Sequence, residues 1–267
     1  MEAKENTPNI FSALSNSVRI QMLEHLKNSS MLSSQLAKKM NSTVQANQKH
    51  LTKLVNCGMI TKNSDGDLEL TPIAKASLAQ IPSFTFFSKF KDYFLEHTLD
   101  GVPDKLIQRS GELCNATLID DPMAAWEHAK SVIENCKEFL YGASTMIPLE
   151  FYPVVKNRFK YLSKIRIIFQ KNATVAKGFS DQRKKTGWLD KINKGIAEEK
   201  SISNLPLTVV VTKNMAEILF SNKKTGQIDG NMLFYSSDKK FCQWCTDLFN
   251  HYWYEVPGSS KISYHEI

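Results

Sequence analysis

The sequence predicts an α+β protein, with a small N-terminal helical domain closed by a β-hairpin and a larger α/β domain behind it. Three observations carry that expectation. Apolar residues recur at helical spacing through most of the first eighty positions, and the run ends in two short strand-like stretches around Asp65-Gly66. Beyond Ile81-Pro82, apolar strand-like runs alternate with amphipathic helical stretches, which is the texture of an α/β sheet domain. The charge changes as well: residues 1–80 carry a net +3, 81–152 a net −5, 153–195 a net +10 and 196–267 a net −1. The expected domains are therefore residues 1–80 and 81–267.

The N-terminal elements follow in order. "NIFSALSNSVRIQMLEHLK" places Ile10, Phe11 and Leu14, then Val18, Met22, Leu23 and Leu26, at helical spacing, and Ser15-Asn16 interrupts it with a cap for the second helix. "SSQLAKKM" is a third helix with Ser33 or Ser34 as its cap. Thr43 caps a fourth, whose inner face is expected to be Leu51, Leu54 and Val55 with help from Val44. Gly58 ends that helix where a left-handed residue is wanted. "MITKNSDGDLELT" then reads as a hairpin, and Thr71-Pro72 as the cap and first turn of a further helix.

The outer face of the helix after Thr43 is Gln45, Gln48, Lys49, Thr52 and Lys53, without a carboxylate. From His25 to Ser64 there are six lysines and no Asp or Glu. Surface helices commonly intersperse Glu with Lys, because opposite charges at i,i+4 support the helix. An acid-free field attracts polyanions. Helices followed by a hairpin in this order make a winged helix-turn-helix, in which such a helix enters the DNA major groove and the hairpin rides the flanking backbone. Gln45 and Gln48 can offer amide edges to adenine, and Lys49 can reach guanine or phosphate. The expected DNA-binding residues are Gln45, Gln48, Lys49, Thr52, Lys53 and Lys62. His50 reads as a packed or phosphate-proximal histidine, and Asn47 lies towards the buried side.

"ALSNSVRIQML", "SSQLAKKM" and "HLTKLVNCGMI", followed by "KNSDGDLELT", resemble the ArsR-like winged-helix regulators of bacteria and archaea over about residues 8–80. Such proteins often sense metals through paired cysteines on the helix before the recognition helix. This chain has "SSQLAKKM" there, so the resemblance implies DNA binding without that metal site.

In the second part, strands are expected at "CNATLI", "EFLYGAST", "KIRIIFQ", "LPLTVVVT", "AEILFSN" and "NMLFYSS", and helices over 122–135, 149–161 and 239–254, in a sheet parallel early and antiparallel late. Phe84, Phe87, Phe90, Tyr93 and Phe94 make an aromatic stripe suited to a core or a dimer seam. "FLEHTLDGVPDKLIQRSGEL", "AKSVIENCKEFLYGAST" and "IDGNMLFYSSDKKFCQWCTDLFNHYWYE" look like the C-terminal domain of archaeal winged-helix regulators named for a methanogenesis regulator. That family's fold is similar to a phospholipase-D-like sheet domain. The resemblance implies a module for sensing or dimerisation.

Catalysis of the phospholipase-D type needs two H-x-K-x4-D motifs. "HAKSVIEN" supplies His128 and Lys130, but Asn135 stands where the Asp belongs, and no second copy exists. There is no Gly-rich phosphate loop, G-x-S-x-G or H-E-x-x-H, so no catalytic residue, metal or cofactor is expected. Cys242 and Cys245 form a lone C-x-x-C on an amphipathic helix. Packing is the simpler reading, and a redox or metal pair the sharper one. The basic run over 153–195 leaves three readings open: a solvated face, a second DNA-backbone contact, or a pocket for an anionic effector. Trp188 beside Arg183, Lys184 and Lys185 leans towards contact with a partner.

Composition agrees with a soluble globular chain, at 42% apolar and 23% charged residues. "MEAKENTPNIF" lacks the apolar core of a secretory signal, and no apolar run approaches the roughly 20 residues of a membrane helix. Five cysteines, odd in number and mostly isolated, suit reduced thiols in the cytoplasm. The expectation is a cytoplasmic, sequence-specific transcriptional regulator that binds double-stranded DNA as a homodimer and responds to a small-molecule effector. The alternative is a thiol- or metabolite-responsive binding protein whose winged helix contacts other proteins.

Overall fold

The N-terminal helices owe their ends to capping contacts that are local in sequence. In the computed structural model, which describes residues 7–145 and 148–266, α1 (Thr7–Leu14) gives way to α2 (Ser17–Leu26) at Asn16, whose side-chain oxygen accepts from the Arg19 N–H at 3.2 Å. Arg19 turns back and donates to the Ser12 and Ala13 carbonyls, each at 2.6 Å, so it satisfies the open end of α1. In α3 (Ser33–Lys39) the capping position is Leu32 rather than a serine. Its N–H donates to Gln35 Oε1 at 3.1 Å, so the helix start is held by Gln35 reaching back and not by a serine hydroxyl.

Thr43 caps α4 (Val44–Asn56) by accepting from the Ala46 N–H at 3.1 Å, and Gly58 follows at φ +67°. The hairpin β1 (Ile60–Lys62) and β2 (Leu68–Leu70) is antiparallel. Its turn is organised by Asn63, whose Oδ1 accepts from the N–H groups of Asp65 and Asp67, and Gly66 supplies the left-handed residue. Thr71 caps α5 (Pro72–Lys89) through the Ala74 N–H. Met22, Leu23, Leu36, Leu54 and Met59 fill the core of this unit.

The chain divides into two compact units, the first ending at Pro82 and the second beginning at Ser83. The change of texture at Ile81-Pro82 does not end a helix: α5 runs through Pro82, with Leu78 buried before it and Phe86 after it.

The second unit continues with α6 (Lys91–Glu96), α7 (Asp104–Ile107), a 3₁₀ turn over Ser110–Leu113, β3 (Thr117–Ile119), α8 (Pro122–Asn135), β4 (Glu138–Ser144) and α9 (Phe151–Arg158). Then follow β5 (Leu162–Gln170), β6 (Ala173–Val175), α10 (Phe179–Lys185), α11 (Trp188–Asn193), β7 (Ala197–Ile202), β8 (Leu207–Thr212) and β9 (Ala216–Phe220). The chain closes with β10 (Leu233–Ser236), α12 (Lys239–Asn250), a π-helical turn over His251–Glu255, β11 (Gly258–Ser259) and β12 (Tyr264–Glu266). The eight-stranded sheet has the order β11-β7-β5-β4-β8-β9-β10-β3. β4, β5 and β7 run parallel, while β8, β9 and β10 pair antiparallel, which is the early and late division the sequence suggested. β6 and β12 make a separate parallel pair.

Strand alternation gives the large sheet two faces. Ala143, Ile168, Val209, Val211 and Ile218 pack with α12 through Phe241, Trp244, Leu248 and Phe249. Leu140, Ile165 and Phe169 on the other face pack with Tyr152, Phe179 and Trp188. The aromatic stripe is core, with one change of membership. Phe86 is the fully buried ring and meets Phe90 and Phe94 edge to face, whereas Phe84 is exposed. Lys200 Nζ donates to the carbonyls of Tyr252, Trp253 and Val256 at 3.0, 2.6 and 2.6 Å, and so holds the irregular turn after α12.

Candidate nucleic-acid interface

Thirteen residues of α4 separate cleanly into an inner and an outer stripe. Asn47, Leu51 and Leu54 are buried. Gln45, Gln48, Lys49 and Thr52 are exposed, at the i, i+3, i+4 and i+7 positions that share one side of a helix. Lys53 is half-buried at the margin of that stripe, and Lys62 is exposed at the end of β1. The sequence also named Val44 and Val55 as inner residues. Both are exposed, because the helix turns them out beside the polar stripe.

Two polar atoms lie beneath this helix without a hydrogen-bond partner among the described residues, Asn47 Nδ2 and His50 Nδ1. His50 is half-buried, as befits a packed residue. The cationic field has other contributors: Lys38 and Lys39 are exposed at the end of α3. The hairpin is mixed, since Asp65 and Glu69 are exposed along with Lys62. Any attraction it has for phosphate therefore rests on Lys62, while Asp65, Asp67 and Glu69 oppose it.

The chemical motifs of the second unit lie apart from one another or inside the core. His128 and Lys130 are on α8. His128 Nδ1 is 2.6 Å from Glu217 Oε1, Lys130 pairs with Glu134, and Asn135 donates to the Ser131 carbonyl. Burial pushes the Glu217 carboxyl above its ordinary range, and the hydrogen bond from His128 opposes that shift.

Cys245 is fully buried and Cys242 half-buried on α12. Burial pushes both thiols up, Cys245 well above its usual value, and no group of three or more His, Cys, Asp or Glu able to hold a metal occurs among the described residues. A thiol held protonated is a poor nucleophile. In native protein, iodoacetamide is therefore expected to modify half-buried Cys57 well before Cys245, with the difference vanishing on unfolding. Peptide mass spectrometry over a time course checks this, and equal native rates would reopen the redox reading.

The basic run is not one surface. Arg183 is buried and pairs with Glu199 at 2.7 Å, and the Trp188 Nε1–H donates to the same carboxylate at 2.7 Å. The expected contact between Trp188 and a partner is thereby corrected to an internal one. Arg158 donates to the Cys136 carbonyl, and Lys164 and Arg166 share Glu198. Lys184 and Lys185 remain exposed, but Lys185 shares its surface hollow with Glu150 and Asp181. That mixture of signs suits an anion poorly.

No family model and no curated protein matches the chain. Among solved structures, TrmBL2, described as an archaeal chromatin protein with a novel mode of DNA binding, aligns over 94% of this chain and 99% of its own at 10% identity and a TM-score of 0.42. NucT from Helicobacter pylori aligns over 54% of this chain and 99% of its own, with 11% identity and a TM-score of 0.39. An O-methyltransferase family protein from Burkholderia thailandensis covers 74% of this chain and 61% of its own, at 11% identity and a TM-score of 0.27. Likenesses this distant carry no weight for function.

Proposed function

We propose that the protein is a DNA-binding transcriptional regulator. The first unit would act as a winged helix-turn-helix, and the second as a non-catalytic module for dimerisation and effector sensing. The observation that carries this is the outer stripe of α4: Gln45, Gln48, Lys49 and Thr52, exposed, free of acids and flanked by Lys38, Lys39 and Lys53. Amide and ammonium groups in one row are what a major-groove reader needs, and carboxylates there would repel phosphate. One such helix reads only a few base pairs, so useful specificity calls for two copies on two half-sites. The aromatic stripe lends dimerisation no support, since its rings fill the unit's own core. Among the described residues no helix is long and apolar enough to cross a membrane, and a regulator of this kind would work in the cytoplasm.

Salt titration of duplex binding tests the proposal. Each phosphate neutralised contributes about −0.9 to the slope of log K against log salt, so a dimer making three to five contacts per subunit should give a slope of about −5 to −9. Lys53→Ala with Lys62→Ala should flatten it, and Lys184→Ala with Lys185→Ala should leave it within error. A flat slope on every duplex tried would favour a winged helix that contacts proteins.

A further inference from the structure

The second unit contains a cavity of about 200 Å³ between the large sheet and helices α8 and α9. Gly142 of β4, Ile167 of β5 and Val210 of β8 are on its sheet side. Trp126 and Phe151, with ring centroids 5.1 Å apart, stand on its helix side. The cavity is open to solvent on one side, and Trp126 on its wall is 42% exposed, so a small molecule has a way in. A concave, mostly apolar hollow with a few polar groups on its wall is the usual setting for a small-molecule site.

The space has an identifiable origin in the sequence. Gly142 lies between Leu140 and Ser144 on one face of β4, and all three line the cavity. Its φ is not positive, so no backbone strain demands glycine there. A Cβ at this position would meet only Ile167 Cδ1, at 3.4 Å. Glycine at a buried strand position where a side chain would fit leaves room for something else.

The lining also selects. Among the described residues, Glu217 is the one carboxyl on it, 1% exposed, and no lysine, arginine or histidine lines the cavity. His128 Nδ1 occupies one site on that carboxyl, at 2.6 Å. In either protonation state a carboxyl keeps a further accepting lone pair. A carboxylate or phosphate ligand would lie against a mostly apolar wall beside Glu217, whose His128 partner is already engaged, and would lose hydration without a cation of its own among the described lining residues.

We propose that this cavity binds a neutral, largely apolar molecule of about bicyclic size that donates one hydrogen bond to Glu217. It gives the sensing role proposed for the second unit a site and a ligand class, and it sets aside the basic run as the place where an effector is held. Binding is measured without DNA, so failure of this inference and failure of the DNA-binding reading are seen separately.

The probes are indole, which is neutral with one N–H donor, benzothiophene, which has the same shape without the donor, and indole-3-carboxylate, which is an anion. Binding to the full-length protein is followed by calorimetry and by saturation-transfer NMR. Indole is expected to bind, benzothiophene to bind more weakly because Glu217 is left unpaired, and indole-3-carboxylate to bind weaker than indole by about tenfold or more. Gly142→Val and Val210→Phe each put a side chain into the space and should abolish indole binding. If one of the two fails to give the wild-type circular dichroism, the other decides. Indole binding that survives the correctly folded filling variant, equal or tighter binding of the anion, equal binding of benzothiophene, or no binding of indole would each overturn the proposal.

Discussion

Arg183→Met is expected to destabilise the C-terminal unit by about 3–5 kcal/mol, the usual cost of removing one partner from a buried ion pair. Both side chains are nearly out of solvent, at 7% and 6% exposure. Glu199 would keep only the indole N–H of Trp188, at 2.7 Å. A carboxylate left in that setting must either take up a proton or bear the desolvation cost. Arg183 also lies over the Phe179 ring, with 5.5 Å to its centroid, so methionine retains part of the packing but none of the charge. Urea unfolding followed by tryptophan fluorescence measures the change. A double variant, Arg183→Met with Glu199→Leu, should recover much of the loss, since apolar replacement of a whole buried pair is often close to neutral. If the single change costs less than about 1 kcal/mol, the value typical of exposed pairs, the site is wetter than its geometry indicates.

That pair also shows where the sequence stops being legible. "AEEKSI" offers two adjacent glutamates and a lysine, with nothing to announce a strand inside a sheet. It becomes β7 because alternation sends Glu199 to the face where Arg183 and Trp188 wait, and Glu198 to the face where Lys164 and Arg166 wait. Each charge is neutralised by residues 16 to 34 positions away, and spacing along the chain carries no such information. By contrast α4, α8 and α12 are legible, because apolar periodicity, and at α4 the Thr43 cap, are local signals; Asp121 and Asp238 cap the other two in the structure. On α4 itself the sequence misleads in one way: Val44 and Val55 are apolar yet exposed. Exposed single aliphatics are common. The cavity was not legible at all, since Gly142 and Glu217 meet only through the order of strands in the sheet.

Gln48→Ala combined with Lys49→Ala is expected to weaken binding to the cognate duplex by about 2–6 kcal/mol, from about 1–3 for each good contact. Both side chains are exposed, while Asn47, Leu51 and Leu54 form the buried stripe, so thermal unfolding should hardly change. The two residues should fail in different ways. Loss of an amide edge at Gln48 would lower affinity for the selected site while leaving affinity for random duplex and the salt slope almost unchanged. Loss of Lys49, if it meets phosphate, would weaken both kinds of DNA and flatten the slope by about 0.9 for each subunit. If it meets a guanine instead, it would behave as Gln48 does. The cognate site is obtained by selection from a random duplex pool with wild-type protein, and the single and double variants are then titrated on it. Because the residues are neighbours, the cycle rather than the sum gives their coupling. Wild-type affinity in the double variant would remove α4 from the reading role. The acid-free stripe would then be left to a protein partner, which has no chemical reason to exclude carboxylates from it.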